Sequence, residues 1–214
     1  MRKLLLLTFT LVCIIFTQAQ ANAADVNSVK ATIVKHALEM GVDPAIALSI
    51  ARTESGFRHE ARSSHGAVGV YQLMPSTARR MGLNPYSLND NIRGGIMYYK
   101  KMYNMFGSVE LALAAYNAGP GNVKKYNAVP PYGETRRFVS KIMTDVNRQK
   151  YNPDPAVVNA RKNYQAMGKP MPKALAKTVA KAPSAKLQDA KDLHAEVLDE
   201  KQIELKLETQ TVAI

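Results

Sequence analysis

A chain of 214 residues with 46% apolar side chains is long enough for one core domain plus additional segments. Its formal charge of +12 favours anionic partners, but no dense Lys/Arg block interleaved with aromatics occurs, so nucleic acid is set aside. A single cysteine, Cys13, and four unclustered histidines offer neither a disulfide framework nor a metal signature, and nothing points to a cofactor.

The N-terminus carries Arg2 and Lys3, then an apolar run from Leu4 to Phe16, then small residues ending in Ala21-Asn22-Ala23. This is the layout of a secretory signal peptide over 1–23 with cleavage after Ala23, and the run is too short to span a bilayer. Removal of that segment takes the only cysteine with it. The sequence around Cys13 lacks the small residue a lipoprotein site needs, so no membrane anchor is expected and the mature chain is read as exported to the periplasm or cell envelope.

Residues 24–149 read as one domain of short helices. Val29, Ile33, Val34, Ala37 and Leu38 recur at helical spacing over 28–40, and Gly41 stops that helix. Asp43-Pro44 is an N-cap followed by proline at the first helical position, opening a helix that runs to Ser55 and stops at Gly56. Residues 57–74 are rich in Gly and Ser and read as irregular, with room for a short hairpin. A short helix follows Met74-Pro75-Ser76 and ends near Gly82. A longer one runs from Asn89 to Phe106, and Ser108 caps another through Ala118. Asn122 to Tyr126 forms a helical turn, 127–133 a proline-rich loop, and Glu134 to Arg148 a final amphipathic helix. No stretch alternates apolar and polar residues over strand length, so the fold class is all-α.

From residue 150 the composition shifts. Five prolines interrupt an Ala/Lys-rich stretch with few large apolar side chains, which predicts a disordered linker over 150–185. Leu187, Leu193, Val197, Leu198 and Ile203 allow a helix over 186–209. That end of the chain is either a solvated, partly helical tail or a docking helix for a partner.

The chemistry gathers on the helix from Pro44. Ile46 and Ile50 define a buried i, i+4 row, and the next position on it is Glu54. A carboxyl on a buried row at the C-terminal end of a helix meets two effects that disfavour its charge: desolvation and the negative end of the helix dipole. Both raise its pKa, as a general acid working near neutrality requires. From this feature alone, a helix-end glutamate turned to solvent remains the alternative.

Several local sequences narrow the choice. Glu54-Ser55-Gly56-Phe57 resembles the E-S-x-F motif of soluble-type lytic transglycosylases. Gly66 to Pro75, GAVGVYQLMP, is similar to that family's G-A-x-G-x-x-Q-x-M-P segment. Asn91-Ile92-Arg93-Gly94-Gly95, Ala114 to Gly121 (AAYNAGPG) and Pro131 to Thr135 (PYGET) resemble three further motifs, in the same order. The resemblance covers about 28–149. It implies a lysozyme-like α fold and a groove for the glycan strands of peptidoglycan, cut between N-acetylmuramic acid and N-acetylglucosamine to leave 1,6-anhydromuramic ends.

By the same resemblance, Glu54 protonates the bridging oxygen and then serves as base for the muramic C6 hydroxyl. Ser63, Gln72, Met74, Tyr116, Asn117 and Glu134 are the implied substrate-contacting residues. Ser63 orients the acetamido group or water, Gln72 hydrogen-bonds an acetamido group or hydroxyl, and Met74 lines the floor. Tyr116 brings its hydroxyl to Glu54, Asn117 holds the turn or touches sugar, and Glu134 either faces the groove or contacts Arg137. Glu60, the one other carboxylate near Glu54 in sequence, is expected to be a surface ion-pair partner. Phe138 stands where the family often has Tyr, which leaves Tyr116 or Tyr132 to support Glu54. Hydrolysis, a catalytically silent wall-binding module, and service to a secretion, conjugation or pilus machine through 186–209 are the competing readings.

Overall fold

The computed structural model describes residues 25–177; the segment 1–23 and the proposed helix 186–209 lie outside the described residues. Nine helices occur among them: α1 (25–39), α2 (Pro44–Ser55), α3 (Pro75–Arg80), α4 (Leu88–Phe106), α5 (Val109–Ala118), α6 (Pro120–Tyr126), α7 (Gly133–Tyr151), α8 (Pro155–Ala166) and α9 (Lys173–Lys177). No strand occurs among the described residues beyond two isolated bridges, Arg62 with Val68 and Val68 with Leu73, which pin the 57–74 segment. The expected all-α class holds.

Local sequence sets the boundaries. The Asp43 side chain accepts the N–H of Ala45 at 2.8 Å with Pro44 behind it, and Gly56, at φ 62, closes the helix from the left-handed region. Ser87 and Ser108 cap α4 and α5 through the N–H groups of Asp90 and Leu111. α2 is the hub. Ala45 to Ala51 are all buried, so the helix is enclosed on every side rather than along one stripe. It packs on α7, while α5 packs against α4, α6 and α7. Ile33, Leu48, Ile50, Ile92, Ile96, Leu113 and Ile142 fill the centre.

The linker expected from residue 150 is corrected over 150–177. α7 continues to Tyr151, and α8 and α9 follow, with Val157 and Leu175 fully buried in the same apolar cluster as α1 and α2. Composition misled because a few well-placed apolar side chains, Val157 and Leu175 with Ala156, Ala160, Tyr164 and Met171 packed around them, dock these short helices once charge pairs hold their start. Asp154, the α8 N-cap, pairs with Lys30 of α1 at 3.1 Å and Arg52 of α2 at 2.9 Å.

Candidate active site

Glu54 sits on the last turn of α2, and the chain around it is fixed from both sides. Ser55, buried, donates its Oγ–H to the carbonyl of Val70 at 2.8 Å. After Gly56 the backbone stays left-handed at Phe57, φ 71, whose N–H reaches the carbonyl of Ala51 at 3.4 Å. Glu54 itself is half-buried and accepts no hydrogen bond from a described side chain. Burial pushes its carboxyl up to about 8, with the negative charge of Glu134 adding to the effect. It therefore holds its proton at neutral pH.

The loop from Gly66 to Met74 is tied to the same helix end through Ser55 and Val70, and Tyr71 organises it. Tyr71, fully buried, donates its N–H to Asn91 Oδ1 at 3.0 Å and its hydroxyl to the Ala47 carbonyl at 2.9 Å. Its ring lies on Gly95, where a Cβ would overlap it, so α4 needs a glycine there. Asn91, also buried, donates its Nδ2 to the carbonyls of Val68 and Pro85 at 2.9 and 3.0 Å. The N-I-x-x-G segment thus serves as the buttress of the G-A-x-G-x-x-Q loop.

Gln72 stands at φ 44 and commits its Nε2 to the carbonyls of Gly69 (2.9 Å) and Ala61 (3.3 Å). Its Oε1 accepts no hydrogen bond from a described residue. Met74 is 41% exposed, a surface residue rather than core. Ser63 Oγ accepts the Ala67 N–H at 3.0 Å and closes a turn.

The opposite wall comes from α5 and α7. The hydroxyl of Tyr116 does not go to the Glu54 carboxyl; it donates to the carbonyl of Tyr71 at 2.9 Å. The expectation is corrected because that carbonyl is a buried acceptor that only this hydroxyl serves among the described residues. Tyr116 still feels Glu54, whose charge helps raise its already elevated pKa, after burial as the main cause. Phe138 stacks on Tyr116 with centroids 6.2 Å apart, so the missing hydroxyl is replaced by ring packing. Tyr132 is turned away, donating to Asn122 Oδ1 at 3.1 Å.

Asn117 Oδ1 accepts the hydroxyl of buried Thr135 at 2.7 Å, which leaves its Nδ2 as a donor and ties α5 to the first turn of α7. That tie sets Glu134, the preceding residue. Glu134 is exposed, forms no ion pair with Arg137 among the described residues, and acts on Glu54. Glu60 is exposed and forms no ion pair among the described residues, so the second carboxylate near Glu54 is Glu134, brought from the far end of the domain.

A cavity of about 290 Å³ is lined by Gln72, Met74, Tyr98, Tyr116 and Asn117. Four of the six expected contact residues meet there; Glu134 acts on Glu54, and Ser63 lies in its own turn. Sequence reasoning passed over Tyr71, Ser55 and Thr135. All three lie inside quoted motifs, and only their buried hydrogen bonds reveal their roles.

The fold and the site together define a class: an all-α protein with one proton-holding glutamic acid at a helix end, beside a cleft of amide, aromatic and thioether side chains. The family model of the Transglycosylase SLT domain matches residues 31–138, and the chain belongs to that family.

The transglycosylase of Enterobacteria phage PRD1 is 32% identical over 130 residues, covering 60% of this chain and 47% of the phage protein. The soluble lytic murein transglycosylase of Salmonella typhimurium is 32% identical over 128 residues, covering 48% of this chain and 20% of that protein. The X-ray structure of an inactive glutamate-to-glutamine mutant of the lytic transglycosylase Slt from Pseudomonas aeruginosa superposes with a TM-score of 0.50 at 30% identity, over 66% of this chain and 25% of that one. The fold is the lysozyme-like all-α fold, and the chain spans less than half the length of each of these three relatives.

Proposed function

We propose that this chain is a peptidoglycan lytic transglycosylase with Glu54 as its catalytic acid. One observation carries the reading: a carboxyl held protonated at neutral pH, with Glu134 and Tyr116 as its electrostatic neighbours and an amide-lined cavity beside it. The acid gives its proton to the oxygen between N-acetylmuramic acid and N-acetylglucosamine. The resulting carboxylate then takes the proton of the muramic C6 hydroxyl as that oxygen closes on C1. One glycosidic bond breaks, one intramolecular acetal bond between C1 and O6 forms, and no water is consumed.

The nucleophile is already part of the reacting sugar, so its approach requires little loss of translational freedom. Gln72 Oε1 and Asn117 Nδ2 form a complementary acceptor and donor for an acetamido group on the cavity wall. Export through residues 1–23 would bring the enzyme to this polymer in the cell envelope.

The test is mass spectrometry of the products from purified peptidoglycan. Wild type should release fragments lighter by one water than hydrolytic ones, and Glu54→Gln should release none. Reducing-end products would identify hydrolysis instead, and activity surviving in Glu54→Gln would sink the assignment of the acid.

A further inference from the structure

We propose that Asp154 is a positioning residue for Glu54, holding the last turn of α2 in place through Arg52. The inference rests on Glu54 being the catalytic acid. Asp154 lies beyond residues 31–138, the part matched by the family, at the N-cap of α8. Its Oδ1 accepts the Ala156 N–H at 3.1 Å and serves the helix; its Oδ2 faces inward, where Arg52 Nη2 donates at 2.9 Å and Lys30 Nζ stands at 3.1 Å. The Asp154 side chain is 4% exposed, so its end of the pair is shielded from solvent.

Arg52 is two residues before Glu54, and its carbonyl accepts the Gly56 N–H that closes the helix. The other arm of its guanidinium pairs with Asp145 of α7, which also accepts the hydroxyl of Ser49 at 2.7 Å. The planar fork therefore spans carboxylates from two separate elements, which a lysine could not do with the same geometry. The Phe57 ring lies beneath the same two cations, 5.0 Å from Lys30 Nζ and 5.4 Å from the Arg52 guanidinium carbon.

The Glu54 carboxyl accepts no hydrogen bond from a described side chain, so its place depends on the backbone that carries it. That turn has two long-range polar anchors: Ser55 to Val70 on one side, and Arg52 to Asp145 and Asp154 on the other. The second anchor is completed by a segment outside the family match. The helical extension thereby acts on the reaction without touching substrate.

Asp154→Asn keeps the cap of α8 and removes the charge; Asp154→Ser does the same with a different side chain. Each is measured in the full chain on soluble glycan fragments, at a temperature where circular dichroism shows it folded, beside Arg52→Gln and the double variant. Loss of a positioned acid by a fraction of an ångström lowers kcat about 10- to 100-fold with KM little changed. Because Asp154 acts through Arg52, the double variant should be no slower than Arg52→Gln alone. Wild-type kcat in either folded Asp154 variant, or losses that multiply in the double variant, overturns the proposal. Activity in Glu54→Gln would instead remove the reading on which it rests.

Discussion

Glu134, on the first turn of α7, sets its negative charge against Glu54 on the last turn of α2, and burial and this repulsion act in the same direction. The acid is thereby kept as a proton donor up to a pH of about 8. Cleavage should fall as pH rises through that value, because the donor form disappears. In Glu134→Gln the repulsion is gone while burial remains, so the alkaline limb of kcat/KM should move to lower pH. A profile superimposable on wild type would show that Glu134 does not act on the acid.

Glu54→Gln, which should release no product, should also gain stability, with a definite pH dependence. The ordinary carboxyl value is 4.5 and the folded one about 8, so the folded state binds the proton more tightly. Between these values the unfolded chain ionises while the folded chain does not, and wild-type stability declines as pH rises. The neutral amide has no such term. Melting temperatures of wild type and variant should coincide near pH 4 and separate progressively up to about pH 8, with the variant higher by about 5 °C or more at pH 7. A constant difference across that range would contradict the raised carboxyl.

The position of Glu54 was legible in the sequence because its i, i+4 row and helix stop are local patterns. The cap pair Asp43-Pro44, the stop at Gly56 and the serine caps of α4 and α5 are legible for the same reason. The partners of the acid were not. Glu134 and Tyr116 arrive from distant segments, and no spacing rule states that the Tyr116 hydroxyl will serve the Tyr71 carbonyl rather than Glu54. Tyr71 illustrates the limit most clearly: a motif identifies the position, but its three hydrogen bonds to α2, α4 and α5 exist only in three dimensions. Composition failed past residue 150, where a few buried apolar residues and one aspartate outweigh a proline-rich, lysine-rich average.

Gly95 gives a test of the Tyr71 buttress with an unusual sign. Alanine in place of glycine within a helix ordinarily stabilises by about 1 kcal/mol. Here the added methyl group overlaps the ring of Tyr71, which is fully buried and hydrogen-bonded at both ends of its side chain and backbone. Gly95→Ala should instead destabilise by roughly 1–3 kcal/mol, the range for overpacking a dense core. Denaturant unfolding decides it, and a more stable variant would mean that the ring does not rest on α4.

Thr135→Val tests the tie that places Glu134. The two side chains have nearly the same shape, so packing is kept while the 2.7 Å bond to Asn117 Oδ1 is lost. Leaving that carbonyl without its donor in a partly buried site costs about 1–3 kcal/mol. With α5 and the start of α7 uncoupled, Glu134 should press less firmly on Glu54, and the alkaline limb should move in the direction seen for Glu134→Gln, by a smaller amount. Lost stability with an unmoved limb would show that Thr135 only packs.

Truncation after residue 149 separates a tail from a structural part. It removes the buried Val157 and Leu175 and leaves Lys30 and Arg52 without Asp154. Leu175 alone is fully buried, and replacing a buried leucine by alanine costs about 2–5 kcal/mol. The shortened chain should therefore unfold at markedly lower denaturant, and cleave more poorly even when folded, than a chain ending after residue 177, which keeps every contact described above. Equal stability of the two truncations would mean that α8 and α9 contribute nothing to the core, and the charge pairs at Asp154 would then be surface ornaments of an autonomous 25–149 domain.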